Sequence, residues 1–208
     1  MNSFLNSIPR DLLSCSLSSP ALRPRLPRAM IESIRRHAIR PTRFILSVTV
    51  SSQSMRLFER NRGHSLAPLF PPYDFRRRYC ISTSAYGVGQ VNGSNKTPLG
   101  LHRIAKKVGG GQPIGTVFRS RQALGLIWQG GAPATIVHRI LWLEGLEPSL
   151  NRGGNVDTYG RYIYIHGFGD ETTLGRPQSH GCIHVAAKDL MPLFDLLPIG
   201  SLVWIAER

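Results

Sequence analysis

The chain of 208 residues is long enough for one well-buried domain of about 150 residues plus a tail, and short for two. Its composition, 41% hydrophobic and 18% charged, excludes disordered and collagen-like polymers, and no apolar run approaches the roughly 20 residues of a helical membrane span. A formal net charge of +14 suits an anionic partner, whether nucleic acid, lipid headgroup or acidic polymer, and equally serves solubility.

Residues 1–43 read as a basic, flexible leader. They are rich in Ser, Pro, Leu and Arg, with eight arginines against Asp11 and Glu32, and only Ala29 to Ile39 has the spacing of a short helix. Arg10 and Asp11 interrupt the one apolar stretch, Phe4 to Leu13, so the leader lacks the apolar core of a secretory signal. Leu12 to Cys15 resembles a lipoprotein cleavage box only faintly, for the same reason.

From Phe44 the pattern changes to short β-rich segments punctuated by Gly, Pro and Asn, which predicts a mainly β domain over 44–207. Strands are expected at Phe44–Val50, Met55–Glu59, Arg77–Thr83, Gly100–Lys107, Ile136–Leu143, Tyr162–His166 and Leu202–Ile205. Leu190, Leu193, Phe194 and Leu197 recur at helical spacing and predict a short helix, with Pro192 in its first turn or kinking it. Cys80, between Tyr79 and Ile81, reads as a small buried hydrophobe, and Trp128 and Trp142 as core. The run Arg76 to Arg78 reads as a solvated strand end. His64, His102 and His138 have no companions at ligand spacing and read as surface or satisfied core residues.

The chemistry concentrates in two segments. Tyr162 to Gly167 puts His166 at the end of an alternating strand, and sixteen residues later comes Ser179, His180, Gly181, Cys182, Ile183, His184. Three widely spaced cysteines offer neither a disulfide framework nor a paired metal motif. A thiol beside glycine and several imidazoles suits nucleophilic acyl transfer, because an adjacent imidazolium lowers a thiol's pKa. The amides around Gly181 and Cys182 are candidate oxyanion donors. The same residues, His166, His180, Cys182 and His184, also allow a zinc-binding reading, although alternate ligands are uncommon in structural zinc sites.

These segments resemble the L,D-transpeptidase catalytic domain family, also called YkuD, whose signature is a histidine followed at a distance by Ser/Thr-His-Gly-Cys and a hydrophobic residue. The resemblance extends to Ser82–Gly89, Lys96–Gly100, Asn151–Asp157 and the closing Phe194–Ile205. It implies a β-sandwich with mixed sheets and a short helix after the catalytic cysteine. It implies Cys182 as nucleophile, His166 as general base and acid, and Ser179, His180 and Gly181 as residues shaping the site and its oxyanion hole. Tyr86 and His184 are candidate substrate contacts.

What the resemblance implies is attack on a peptidoglycan tetrapeptide stem to give a thioester, with no metal or other cofactor. A second stem or a cell-wall-linked protein would then resolve the thioester by transpeptidation, or water by carboxypeptidation. No nucleic-acid partner and no transmembrane segment are expected. A module that binds metal or an anionic polymer, its cysteine inert, is the alternative of another class. Many relatives carry Arg two residues after the cysteine, where this chain has His184, and imidazole does not reproduce a guanidinium's bidentate grip on carboxylate. The gap from His166 to Ser179 is slightly short for the family, predicting a tight rim loop over Phe168 to Gln178. The implied substrate lies in the periplasm or cell envelope, an expectation that the leader, without a clear signal, does not itself supply.

Overall fold

The computed structural model describes residues 24–61, 70–130 and 135–208. Cys15, His64 and the first part of the leader lie outside the described residues.

Strand β1 (Phe44–Thr49) pairs antiparallel with β2 (Ser54–Arg60) and parallel with β10 (Leu202–Ala206). Its run of apolar residues follows from this central position, since a strand covered on both faces has no polar side. Phe44, Leu46 and Val48 point into the main core, and Ile45 points the other way. The other strands are β3 (Tyr73–Ser82), β4 (Gly100–Val108), β5 (Thr116–Arg119), β6 (Gln122–Leu126), β7 (Val137–Gly145), β8 (Tyr164–Gly167) and β9 (Ile183–Val185). They follow the order β4-β10-β1-β2-β3-β9-β8-β7, and β7 returns to pair with β4. Hydrogen bonds thus run around a closed circuit, mixed because β1–β10 and β8–β9 are parallel. Helix α2 (Ala187–Leu196) contributes Leu190, Leu193 and Phe194 to the main core.

Seven of the ten strands occupy the expected stretches. The hairpin β5–β6 and the three-residue β9 are additional, because segments this short and glycine-flanked carry too few alternating positions to register. Pro192 sits at the sixth residue of α2 rather than in its first turn. Cys80 is exposed, opposite to the expectation, because strand alternation turns Tyr79 and Ile81 inward and Cys80 out. Trp142 is core as expected, but Trp128 is 64% exposed, its six-membered ring against Gly115 in space that a Cβ would fill. Arg76 and Arg77 project outward to Glu59 and Asp189.

The expectation of a flexible leader does not hold for its C-terminal part. Helix α1 (Arg28–Arg36) packs Met30 and Ile34 on Ile45, Phe58, Leu101 and Leu202, forming a second apolar cluster on the outer face of the sheet. Buried Glu147 fastens it: one carboxylate oxygen accepts from Ser33 Oγ at 2.7 Å and the other from the Leu101 N–H at 2.5 Å. No helix of the described residues is long and apolar enough to cross a membrane.

His102 is wholly buried between the Gly100 carbonyl, 3.0 Å from Nδ1, and Thr158 Oγ1, 3.2 Å from Nε2. Burial pushes its pKa down to about 3. An unfolded chain therefore takes up a proton below about pH 6.5 that the native one refuses, which erodes stability at about 1.4 kcal/mol per pH unit per such histidine as pH falls.

Two outcomes are expected in urea titrations. Met30→Ala lowers stability by about 2–4 kcal/mol, as for other fully buried apolar side chains, whereas an undocked α1 predicts no change. Acidification from pH 7 to 4 lowers the midpoint, and His102→Gln makes that decline shallower; an unchanged slope would show His102 protonating within the native fold.

Candidate active site

The parallel register of β8 and β9 aligns Ile165 with Ile183 and His166 with His184. Alternation then sorts the side chains: Ile165 and Ile183 enter the main core. Tyr164, His166, Cys182 and His184 take the opposite face. There Cys182 packs against a cluster of Phe118, Ile140, Trp142 and Tyr164. The Tyr164 N–H points at Cys182 Sγ at 3.4 Å, and the thiol faces the Tyr162 carbonyl at 3.6 Å.

The motif before the thiol is a tight turn tied by its own hydroxyl. Ser179 Oγ donates to the Cys182 carbonyl at 2.6 Å and accepts the Gly181 N–H at 3.2 Å. Gly181 has φ of +120°, and a Cβ there would lie 3.1 Å from Ile163 Cδ1 and 3.3 Å from the Lys96 carbonyl, so the position requires glycine. Because the Gly181 amide is committed to Ser179, it is not a free donor for a substrate oxygen. His180 is exposed, its ring 5.4 Å from that of Tyr86.

Neighbouring segments hold this turn in place. The Thr83 carbonyl accepts from the Gln178 and Ser179 amides, and Ser179 O accepts from Ala85 N–H. Thr83 is itself clamped by buried Gln53, whose side chain accepts the Thr83 N–H at 2.7 Å and donates to its hydroxyl at 2.8 Å. Thr97 Oγ1 donates to the Gly181 carbonyl at 3.1 Å. Arg161 then gathers the loop that carries Thr97, donating to the carbonyls of Gly89 (3.2 Å), Gln90 (2.8 Å) and Lys96 (2.6 Å). The resemblance pointed to Ser82–Gly89 and Lys96–Gly100, but nothing in the sequence singled out Gln53 or Arg161, whose roles arise from contacts distant along the chain.

His166 is buried, with Nδ1 2.7 Å from the Gly167 carbonyl. A carbonyl only accepts, so Nδ1 carries the proton and Nε2 presents its lone pair. Burial pushes His166 down to about 4. Burial pushes the Cys182 thiol up to about 11, against the opposing pull of the Tyr164 N–H and the Arg161 charge. Both shifts favour a neutral thiol and a neutral imidazole on the one sheet face, not the lowered thiol that neighbouring imidazolium suggested. The cause is shared: the same burial that raises the thiol discharges its neighbours.

His184 is sandwiched between Phe168, stacked at 4.5 Å and 9°, and His166, edge-on at 4.8 Å. Among the described residues its buried Nδ1 has no hydrogen-bond partner, and burial pushes its pKa down to about 3. Near neutral pH it is therefore an uncharged imidazole and not the cation that an Arg would be at this position. The loop over Phe168–Gln178 delivers Phe168 to this stack and runs along β3, with Gly175 N–H on Ile81 O and Ser82 Oγ on Arg176 O. Among the described residues no group of three or more His, Cys, Asp or Glu side chains gathers closely enough to hold a metal ion.

The hairpin β5–β6 adds a feature that sequence reasoning missed. Its tip, Ser120–Arg121, sets the Arg121 guanidinium 5.0 Å from the ring centres of both Trp142 and Tyr162, with Nη1 3.5 Å from the Tyr164 hydroxyl.

No curated protein matches the sequence. Solved structures with a similar chain path include Bd1075 of Bdellovibrio bacteriovorus, at 16% identity and a TM-score of 0.48, over 80% of this chain and 49% of that one. An L,D-transpeptidase from Mycobacterium smegmatis matches at 14% identity and a TM-score of 0.44, over 79% of this chain and 58% of that one. One from Xylanimonas cellulosilytica matches at 16% and 0.44, over 89% and 65%. The chain thus spans about half to two thirds of the length of these structures. The family model of the L,D-transpeptidase catalytic domain, YkuD, matches residues 45–205, which is most of the chain and includes both segments of the site. The chain belongs to the L,D-transpeptidase catalytic domain family.

Proposed function

We propose that this domain is a cysteine-dependent L,D-transpeptidase acting on peptidoglycan tetrapeptide stems in the cell envelope. The observation that carries the reading is the sharing of one sheet face by Cys182, His166 and the Tyr164 amide, beside a turn that only glycine permits.

As the Cys182 sulfur bonds to the carbonyl carbon of the third stem residue, His166 Nε2 takes the thiol proton. Deprotonation is concerted with attack, since neither group is charged at rest. The Cys182 N–H serves as oxyanion donor, because that of Gly181 is occupied by Ser179. Collapse breaks the C–N bond, and the imidazolium returns its proton to the departing D-alanine amine, leaving a thioester. An amine of a second stem attacks that thioester, His166 takes its proton, and the expelled thiolate recovers it. Water in place of the amine gives the tripeptide. Ser179 and Gly181 shape the turn, Tyr86 and His180 line the open side, and no cofactor enters any step.

Mass spectrometry of products from a disaccharide tetrapeptide tests the assignment. Cross-linked dimers formed by the wild type and absent with Cys182→Ala are expected. Cys182-dependent tripeptide alone would assign the hydrolase instead, and no product from folded protein would overturn both. The resting protonation states predict a second result: alkylation of Cys182 by iodoacetamide, followed on its own peptide, keeps rising past pH 9 toward about 11. A plateau below pH 8 would show a preformed thiolate. Turnover should keep its acid limb near pH 4, because His166 remains an unprotonated base above that value.

A further inference from the structure

The structure assigns Arg121 as the residue that binds the carboxylate of the acyl donor's terminal D-amino acid. This rests on the reading of Cys182 as the attacking thiol on a stem peptide, and supplies the cation that His184 does not.

The first observation is backbone conformation. Ser120 and Arg121 have φ of +48° and +68°, both left-handed, at a two-residue hairpin tip where Asn-Gly is the favoured pair. Non-glycine residues persist there only where surrounding contacts hold them. The contacts lie in the Arg121 side chain, which rests on the faces of Trp142 and Tyr162 and reaches the Tyr164 hydroxyl. The hairpin itself is anchored by Phe118 in the same cluster and by the Gly115 N–H on His138 Nδ1 at 2.8 Å.

The second observation is position. Tyr164, whose hydroxyl Arg121 reaches, is the residue whose amide contacts Cys182 Sγ, and Tyr162, under the guanidinium, offers its carbonyl to the same sulfur. Cys182 packs in the aromatic cluster that Arg121 caps.

The third is unsatisfied charge. Among the described residues the other site arginine, Arg161, spends its donors on backbone carbonyls, whereas Arg121 pairs with no carboxylate. Its Nη1 has the Tyr164 hydroxyl alone, and the remaining guanidinium donors form a planar fork for a bidentate anion. The aromatic floor keeps the fork from collapsing onto the surface. A D-amino acid leaving group carries its carboxylate one carbon from the scissile nitrogen, which places that anion beside the thiol during attack.

The test has two independent arms. Alkylation of the Cys182 peptide by iodoacetate and by iodoacetamide at pH 9 compares an anionic with a neutral probe of equal size. Arg121→Gln should lower the iodoacetate-to-iodoacetamide rate ratio by about fivefold or more, and Arg121→Lys should restore part of it. Arg119→Gln, an exposed arginine on the same hairpin, should leave the ratio near that of the wild type. An unchanged ratio in Arg121→Gln, or an equal fall in Arg119→Gln, would overturn the assignment, the latter by showing only a diffuse field. In turnover, Arg121→Gln should raise KM for the tetrapeptide acid by about tenfold and erase its advantage over the C-terminal amide. Preserved discrimination in an active Arg121→Gln variant would overturn it as well. Absence of wild-type turnover would count against the transpeptidase reading alone, since the alkylation ratio decides Arg121 without it.

Discussion

The parallel pairing of β8 with β9 is the constraint on which the site depends. Parallel neighbours need a long crossover, which most proteins build from a helix. Here fifteen residues, 168–182, make the return with a single 3-10 turn at Glu171–Thr173. A loop of that length is held by its contacts rather than by its own ladder. Backbone groups of Ile81 and Thr83, and the Ser82 hydroxyl, supply them. Release of this strap would free Cys182 from the face it shares with His166, and no local propensity would bring it back.

Burial dominates the electrostatics of that face. Two imidazoles, His166 and His184, and the Cys182 thiol are each held toward the neutral form, and the nearby Arg161 charge is spent on backbone carbonyls. On the proposed transpeptidase reading, reactivity would arise from geometry, with a protonated Nδ1 leaving the Nε2 lone pair of His166 as the base and a substrate completing the polarity of the site. This is ordinary pre-organisation: donors and acceptors are fixed before the reaction, and little reorientation is left for its transition state.

How much of this could be read in the chain divides by range. The seven longer strands follow from alternation, α2 from its periodicity, and the paired segments around His166 and Cys182 from their motif. Cys80 and Trp128 were misplaced because local hydrophobicity does not say which way a strand residue faces or whether a ring near a hairpin is covered. Helix α1 was visible as a pattern, yet its docking was not, since Glu147 lies more than a hundred residues from Ser33. Gln53, Arg161 and Arg121 had no signal, because the site partners on which each acts, Thr83, the Gly89 carbonyl and Trp142, lie more than twenty residues from it on the chain. Ser179 and Gly181 are joined by a hydrogen bond that occupies the Gly181 amide, a commitment that the motif alone does not reveal.

The closed circuit of strands also separates two kinds of motion. Eight strands are each hydrogen-bonded on both sides, so none opens without a neighbour. The hairpin β5–β6 hangs outside that circuit, joined to β7 through the Val117–Val137 pair, and β6 has no second strand beside it among the described residues. Its amides belong to a separate cooperative unit whose opening free energy lies below that of the whole domain. The hairpin that carries Arg121 is thereby able to lift and reseat on the timescale of local fluctuations while the closed circuit of strands beside it keeps its register.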